Sequence, residues 1–430
     1  MALSRRFPVL VLAGVFAVLA APSAATAWAW VGLCVVVAGV DMLLSADPRG
    51  VSFARGPGSQ VRLGEAASTT LYVTNGSRRH LRGVVRDAWL PSAGSSGERH
   101  TVDVPVGERR ALTTRLRPVR RGDRPADHVT LRAFGPLGVA ARQRSVPVPG
   151  VVRALPPFHS RKHLPSRLAV LRQIDGRSAV RIRGAGTEFD SLRDYVDGDD
   201  VRSIDWRATA RRRAPVVRTW QPERDRRVVL VLDTSRLSAG RVLDMPRLDA
   251  SMDAALLLAA LASRAGDRVD LVAGDRRVRA RVSGVDRTRL LAELVTAMAP
   301  LEPTLVEADW TRLAAGVAQV TRRRALVVLL TTVEPVVVEE TLLPTLAALT
   351  RHHRVVIASV ADPTVAAMAA TRSSTREVYD AAAAERSQAS KDRVVEALGR
   401  LGVTVVDAPP EQLPPALADH YLMLKSRGLL

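Results

Sequence analysis

Cysteine is nearly absent: Cys34 is the single one among 430 residues, so no intrachain disulfide can staple the fold. It falls inside an apolar run, where a thiol behaves as a small buried or lipid-facing hydrophobe. Aromatics are scarce too, at 4%. The basic excess, 63 Lys and Arg against 43 Asp and Glu for a net +20, is spread along the chain after the first fifty residues and forms no arm. A nucleic-acid surface needs a basic block or basic residues interleaved with aromatic stacking platforms. Neither is present, so no specific nucleic-acid partner is expected. His80, His100 and His128 lack metal-ligand spacing and read as surface histidines. No phosphate-cradling loop or nucleophile-base pair appears: Ser178 and Ser191 have no histidine partner, and Gly184-x-Gly186 is too short and wrongly placed for a dinucleotide.

What the chain has is length and apolar content. With 47% hydrophobic residues it can build two or three cored domains. Two apolar runs, Phe7 to Ala21 and Ala27 to Leu44, follow Arg5 and Arg6 and are separated by a few small residues, which reads as a transmembrane hairpin over residues 1–48. The rival reading is a cleaved signal peptide, because Ser23 to Ala27 are residues that a signal peptidase accepts. Arg5, Arg6, Arg49, Arg55 and Arg62 flank the outer ends, so the positive-inside tendency gives a multi-pass protein of the cell membrane with its bulk in the cytoplasm. Asp41, one turn from the end of the second run, is expected to reach the interface.

Residues 49–155 change texture. Short alternating runs are punctuated by Asn75-Gly76, Pro91, Gly107, Arg121-Gly122 and Gly135-Pro136, which predicts about seven strands in an immunoglobulin-like β-sandwich. After a linker and motif over 156–223, residues 224–430 alternate strand and helix: an apolar strand ending at Asp233, strands at Val269–Ala273, Val278–Val282, Ala325–Leu330, Val355–Val360 and Val403–Val406, and helices between them. This is the pattern of a doubly wound α/β open sheet. Ligands on such sheets bind beyond the carboxyl ends of the strands, where Asp233-Thr234-Ser235 and Thr331-Thr332 stand.

The densest signal runs from Gly184 to Arg218, where seven carboxylates sit among seven arginines. Gly184, Gly186, Glu188, Phe189, Leu192, Arg193, Tyr195, Gly198, Asp199, Asp200, Arg202, Ile204, Asp205, Trp206, Ala208, Ala210 and Arg211 resemble the motif of a bacterial domain-of-unknown-function family, number fifty-eight of its series. Arg120 to Gly122 and the stretch from Gly135 look like further landmarks of it. The resemblance implies two membrane helices, a β-rich region, the motif and a von Willebrand factor A-like domain, and partnership with a MoxR-type AAA+ ATPase. In von Willebrand A domains an Asp-x-Ser-x-Ser loop, a later threonine and a later aspartate hold a divalent ion, whose hard character suits oxygen ligands. Here Asp233 and Ser235 match, but Leu237 stands for the second serine and Thr332 for the aspartate. The resemblance therefore implies a degenerate site and no resident cofactor, with Mg²⁺ as the ion should one bind.

For the motif itself, alternation of acid and arginine predicts bidentate ion pairs through Arg193, Arg202 and Asp205 that fix it onto the sheet domain, with Trp206 filling a pocket. A protein-interaction surface on that frame comes next, and with it a membrane-anchored adaptor serving the ATPase and other envelope proteins. The alternative is a divalent-metal-dependent hydrolase using the Asp cluster 197–205, without a histidine to accompany it.

Overall fold

The structure is a computed structural model that describes residues 2–181, 188–212, 214–221 and 226–430. It divides into two compact units, Met1–Leu155 and Pro156–Leu430. Gly184 and Gly186 of the motif lie outside the described residues.

The first unit opens with strand β1 (Ala2–Leu3), helix α1 (Arg6–Ala20) and helix α2 (Ala24–Leu44). At 1.5 Å per residue the 15 residues of α1 reach about 22 Å and the 21 of α2 about 31 Å, so α2 alone matches the ~30 Å hydrocarbon core. Among the described residues one helix is long and apolar enough to cross a membrane. Ser23 caps α2 by accepting from the N–H of Thr26 at 3.1 Å, and the indole N–H of Trp30 donates to the carbonyl of Leu10 at 3.2 Å. A Cβ on Gly14 would run into the Trp30 ring, so glycine lets the two helices touch.

Two sheets follow. Strands β2 (Val51–Arg55), β4 (Ala67–Asn75), β8 (Arg109–Leu116) and β6 (Ser95–Ser96) form one; β1, β10 (Ala140–Pro147), β9 (Gly122–Phe134), β11 (Val151–Leu155) and β3 (Ser59–Arg62), with β5 (Leu81–Trp89) and β7 (Arg99–Val104) on the other edge of β9, form the second. Alternation explains them: every second residue of β4 and β5 is buried, which puts one face of each strand inward. Leu71 and Val73 of one sheet share a core with Leu81, Val85, Val129 and Leu131 of the other. The expected two-sheet architecture is present, with more strands than the seven expected.

Asp41 corrects the sequence reading. It is fully buried against the sandwich rather than extended outward. Its carboxylate accepts the N–H groups of Leu137 at 2.8 Å, Val139 at 2.7 Å and Ala140 at 2.9 Å, so α2 is clasped to the turn before β10. Gly138 in that turn has φ +68, a conformation open to glycine, and a Cβ on Gly135 would collide with Asp41. The stretch from Gly135 is thus shaped around one carboxylate.

The second unit contains α3 (Leu164–Arg181), β12 (Glu188–Asp194), α4 (Trp206–Arg212), β13 (Val216–Gln221), β14 (Arg227–Asp233), α5 (Arg236–Ala239), β15 (Arg241–Val242), β16 (Met245–Pro246), α6 (Arg247–Arg264), β17 (Arg268–Gly274), β18 (Val278–Val282), α7 (Arg287–Met298), α8 (Trp310–Val320), β19 (Leu326–Leu330), α9 (Pro335–Val337), α10 (Leu343–Thr350), β20 (Arg354–Val360), α11 (Pro363–Ala370), α12 (Thr375–Arg400), β21 (Thr404–Ala408) and α13 (Leu413–Ser426). Its main sheet has the order β18-β17-β14-β19-β20-β21. All neighbours are parallel except β17 and β18. The chain winds outward from β14 in both directions, first to β17 and later to β19, so the crevice at the carboxyl ends of these three strands is a switch point of the topology. The helical stretch between β19 and β20 contains a π-helical turn at Val338–Leu342, just before Pro344, whose missing N–H breaks an α-helical ladder.

Candidate functional site

The motif folds as a small lobe on an antiparallel hairpin. Glu188 and Phe189 on β12 pair with Gln221 and Trp220 on β13, and Arg193 and Asp194 pair with Val217 and Val216. Between the strands, Gly198 takes φ +105, a 3-10 turn spans Val201–Ser203, and α4 lies beside β13. Tyr195 donates its N–H to the carbonyl of Pro215 at 2.9 Å.

Three aspartates of the lobe's turn region, Asp199, Asp200 and Asp205, have local tasks. Asp199 accepts from the guanidinium of Arg193 at 2.6 Å and from the N–H of Val196 at 3.0 Å. The Arg193 bond, then the Val196 bond, holds the Asp199 carboxyl below the usual carboxylate range. Asp200 caps the 3-10 turn through the N–H of Arg202 at 2.9 Å. Asp205 stands before α4 and accepts from the N–H groups of Arg207 at 3.0 Å and Ala208 at 3.1 Å, and from Arg218 at 2.7 Å. Its pKa is lowered, first by Ala208 and then by Arg218. Arg218 is therefore the partner of Asp205 that sequence reasoning missed. It sits on β13, opposite Leu192 of β12, and hairpin register was the only signal.

The arginines and Trp206 do not all follow the expected plan. Among the described residues, the ion pairs of the lobe are internal, Arg193 with Asp199 and Arg218 with Asp205. Arg202 makes no pair in that set. Trp206 fills no pocket: it is 70% exposed, and Val201 and Val196 of the same lobe are exposed at 63% and 61%. Arg207 and Arg211 are exposed on the same helix. Ala208 and Thr209 face inward, where the Thr209 hydroxyl accepts the N–H of Val216 at 3.0 Å. The exposed side of α4 is thus aromatic and cationic.

The second cluster occupies the switch point. Asp233 ends β14 fully buried; its Oδ1 accepts the N–H of Ser235 at 2.7 Å and its Oδ2 the hydroxyl of Thr331 at 2.6 Å. Burial pushes its pKa up against those hydrogen bonds. Thr331, not Thr332, meets the carboxylate, because β19 ends at Leu330 and the next side chain points across to β14. Leu237 is buried in the first turn after Ser235. Asp275, just past β17, accepts the hydroxyls of Thr304 at 2.7 Å and Thr234 at 3.0 Å. Burial raises its pKa, but these bonds and Arg279 outweigh it and leave the carboxyl acidic. Asp275 and Thr304 were missed by sequence reasoning, although an aspartate directly after an apolar strand was the signal that picked out Asp233. Among the described residues no three His, Cys, Asp or Glu side chains gather as a metal-ligand group.

Among known proteins, uncharacterized proteins of Mycobacterium bovis and Mycobacterium tuberculosis are 29% identical over 186 residues, 42% of this chain and 57% of theirs. The match thus spans little more than half of those relatives. Solved structures overlap the chain only locally: a PapD-like domain of human CEP192 covers 24% of it with 84% of its own length at 11% identity and TM-score 0.16. A CARDB domain from Pyrococcus furiosus, solved with di-metal ions, covers 26% with 96% of its own length at 16% identity and TM-score 0.17. The family model that matches, over residues 191–391, from within the motif lobe to the last long helix, is that of the "Protein of unknown function DUF58" family.

Proposed function

We propose that the chain is a membrane-anchored adaptor that works through protein-protein contacts, and is not an enzyme. The observation that carries this reading is the lobe. Its aspartates Asp199, Asp200 and Asp205 are spent on the lobe's own donors, while Trp206 and several arginines face outward. Carboxylates held in this way brace a surface; a two-metal hydrolase needs their oxygens free to converge on ions. The hairpin of α1 and α2 serves as the anchor, with both outer ends in the cytoplasm. That unit has the strand alternation of a von Willebrand factor A-like domain. Its strand-end cluster offers hydroxyl donors to Asp233 and the apolar Leu237 where a hard cation would want oxygen, so we read it as a metal-free lock needing no cofactor.

The partner we propose is a MoxR-type AAA+ ATPase, with envelope proteins as its clients. Affinity purification of the full chain from detergent-solubilised membranes tests this: co-purification of such an ATPase at a stoichiometry near that of the chain is expected. Its absence after chemical cross-linking overturns the adaptor reading.

A further inference from the structure

We infer that the outward face of α4 and the preceding 3-10 turn, built on Trp206, Arg202, Arg207, Arg211 and Arg212 with Val201, is a docking surface for an acidic polypeptide segment. The inference rests on the lobe being the interaction element. The sequence from Gly184 to Arg218 balances its charges, seven of each sign, but the described residues of the lobe do not distribute theirs evenly. Asp199 and Asp205 neutralise Arg193 and Arg218 inside the hairpin, and Asp200 is occupied as a cap. Asp194, at the end of β12, and Asp197, in the turn after it, are exposed. Arg202, Arg207, Arg211 and Arg212 are exposed and take part in no ion pair among the described residues, so the helix side is left with an excess of guanidinium groups around a Trp that is 70% exposed.

The chemistry of that face selects its occupant. Guanidinium forks pair bidentately with carboxylates, and Arg with Trp is the composition that carries most energy at protein interfaces. A membrane surface is favoured less, because in-plane binding needs an apolar stripe sustained over several turns. α4 has seven residues, and arginines flank its Trp. A nucleic acid would want several stacking rings along its path, and α4 offers one.

The test uses the full chain in detergent micelles and a fluorescein-labelled 20-residue Asp/Glu-rich peptide, read by anisotropy. The double variant Arg207→Glu/Arg211→Glu is expected to weaken binding about tenfold or more, and Trp206→Ala about fivefold. Arg207→Lys/Arg211→Lys should give a smaller loss, since it keeps the charge and removes the fork. Arg99→Glu/Arg115→Glu, two exposed arginines of the sandwich, removes the same net charge elsewhere and should change binding less than about twofold. These substitutions are at exposed positions, and an unchanged circular-dichroism spectrum checks the fold. Equal weakening by the sandwich pair overturns the inference. So does tighter lobe-dependent binding to vesicles containing phosphatidylglycerol, or to a 20-nucleotide single strand. Should the ATPase co-purify with wild type and with Arg207→Glu/Arg211→Glu alike, the adaptor reading stands and the acidic-partner inference falls. Should the peptide bind through the lobe while no ATPase is recovered, the reverse holds.

Discussion

At the scale of single residues, two buried aspartates decide the most. Asp41 satisfies three backbone N–H groups from inside an apolar helix. Asp41→Ala leaves those donors unmet, and each unsatisfied buried group costs about 1–3 kcal/mol. The variant is expected to lose about 3 kcal/mol or more, read as a lower unfolding midpoint of the full chain in detergent. Gly135→Ala should behave alike through collision with the same carboxylate. Asp233 predicts a pH effect. Its folded pKa lies above the unfolded value of about 3.9, so between the two the native state binds the extra proton. Stability therefore falls as pH rises through that window, by at most about 1.4 kcal/mol per pH unit for one proton. Asp233→Asn keeps an acceptor for Ser235 and a donor for Thr331 but cannot titrate. Denaturation midpoints measured from pH 4 upward should show a flatter profile in this variant than in wild type. Neither role was legible beforehand, because each depends on a partner distant in sequence: Asp41 on residues 96–99 positions away, Asp233 on Thr331 across the sheet.

At the scale of elements, legibility follows the source of stabilisation. β14, β19 and β20 are buried on both faces, so an uninterrupted apolar run specified each of them. α3 escaped because it is polar: Arg167 on it pairs bidentately with Asp419 of α13 at 3.0 and 2.9 Å, a contact without periodicity. The lobe escaped for a related reason. Acid-arginine alternation announced pairing, and Arg193 with Asp199 does pair, but which face remained open depended on the hairpin register. Asp205 is its test. It holds the first amides of α4, so Asp205→Ala is expected to speed hydrogen exchange at Arg207 and Ala208 while leaving the amides of β14 unchanged. Its depressed pKa gives the sign: protection of α4 is present above about pH 4 and is lost as pH falls through the folded value. Exchange that is indifferent to the substitution would mean that the cap does not organise the helix.

At the scale of the whole molecule, the proposed anchor is the amino-terminal helix pair, of which α2 is long and apolar enough to cross a membrane. β1 joins the sandwich at the edge of β10, with Ala2 opposite Ala141, and β2 re-enters the sandwich at Val51, seven residues past the end of α2. Both outer ends of the helix pair are therefore held at one body, and the connection at Pro22 is the far end. The first helix is short, about 22 Å by its residue count, yet Phe16 on α1 and Trp28 on α2 are each about three-quarters exposed, as lipid-facing side chains are. A hairpin that crosses must then put Leu3 and Arg78 on one side and Pro22 on the other. Replacing Cys34, the only cysteine, by Ser gives a background in which Leu3→Cys, Arg78→Cys and Pro22→Cys can each be labelled by a membrane-impermeant maleimide. In inside-out vesicles Leu3→Cys and Arg78→Cys should label and Pro22→Cys should not; in right-side-out vesicles the pattern should invert. Cleavage at the small residues after Pro22 would instead remove the Leu3→Cys label from the mature chain while leaving that of Arg78→Cys. It would also break the β1 pairing that ties the helices to the sandwich, so labelling and the mass of the mature chain decide together between an anchor and a leader.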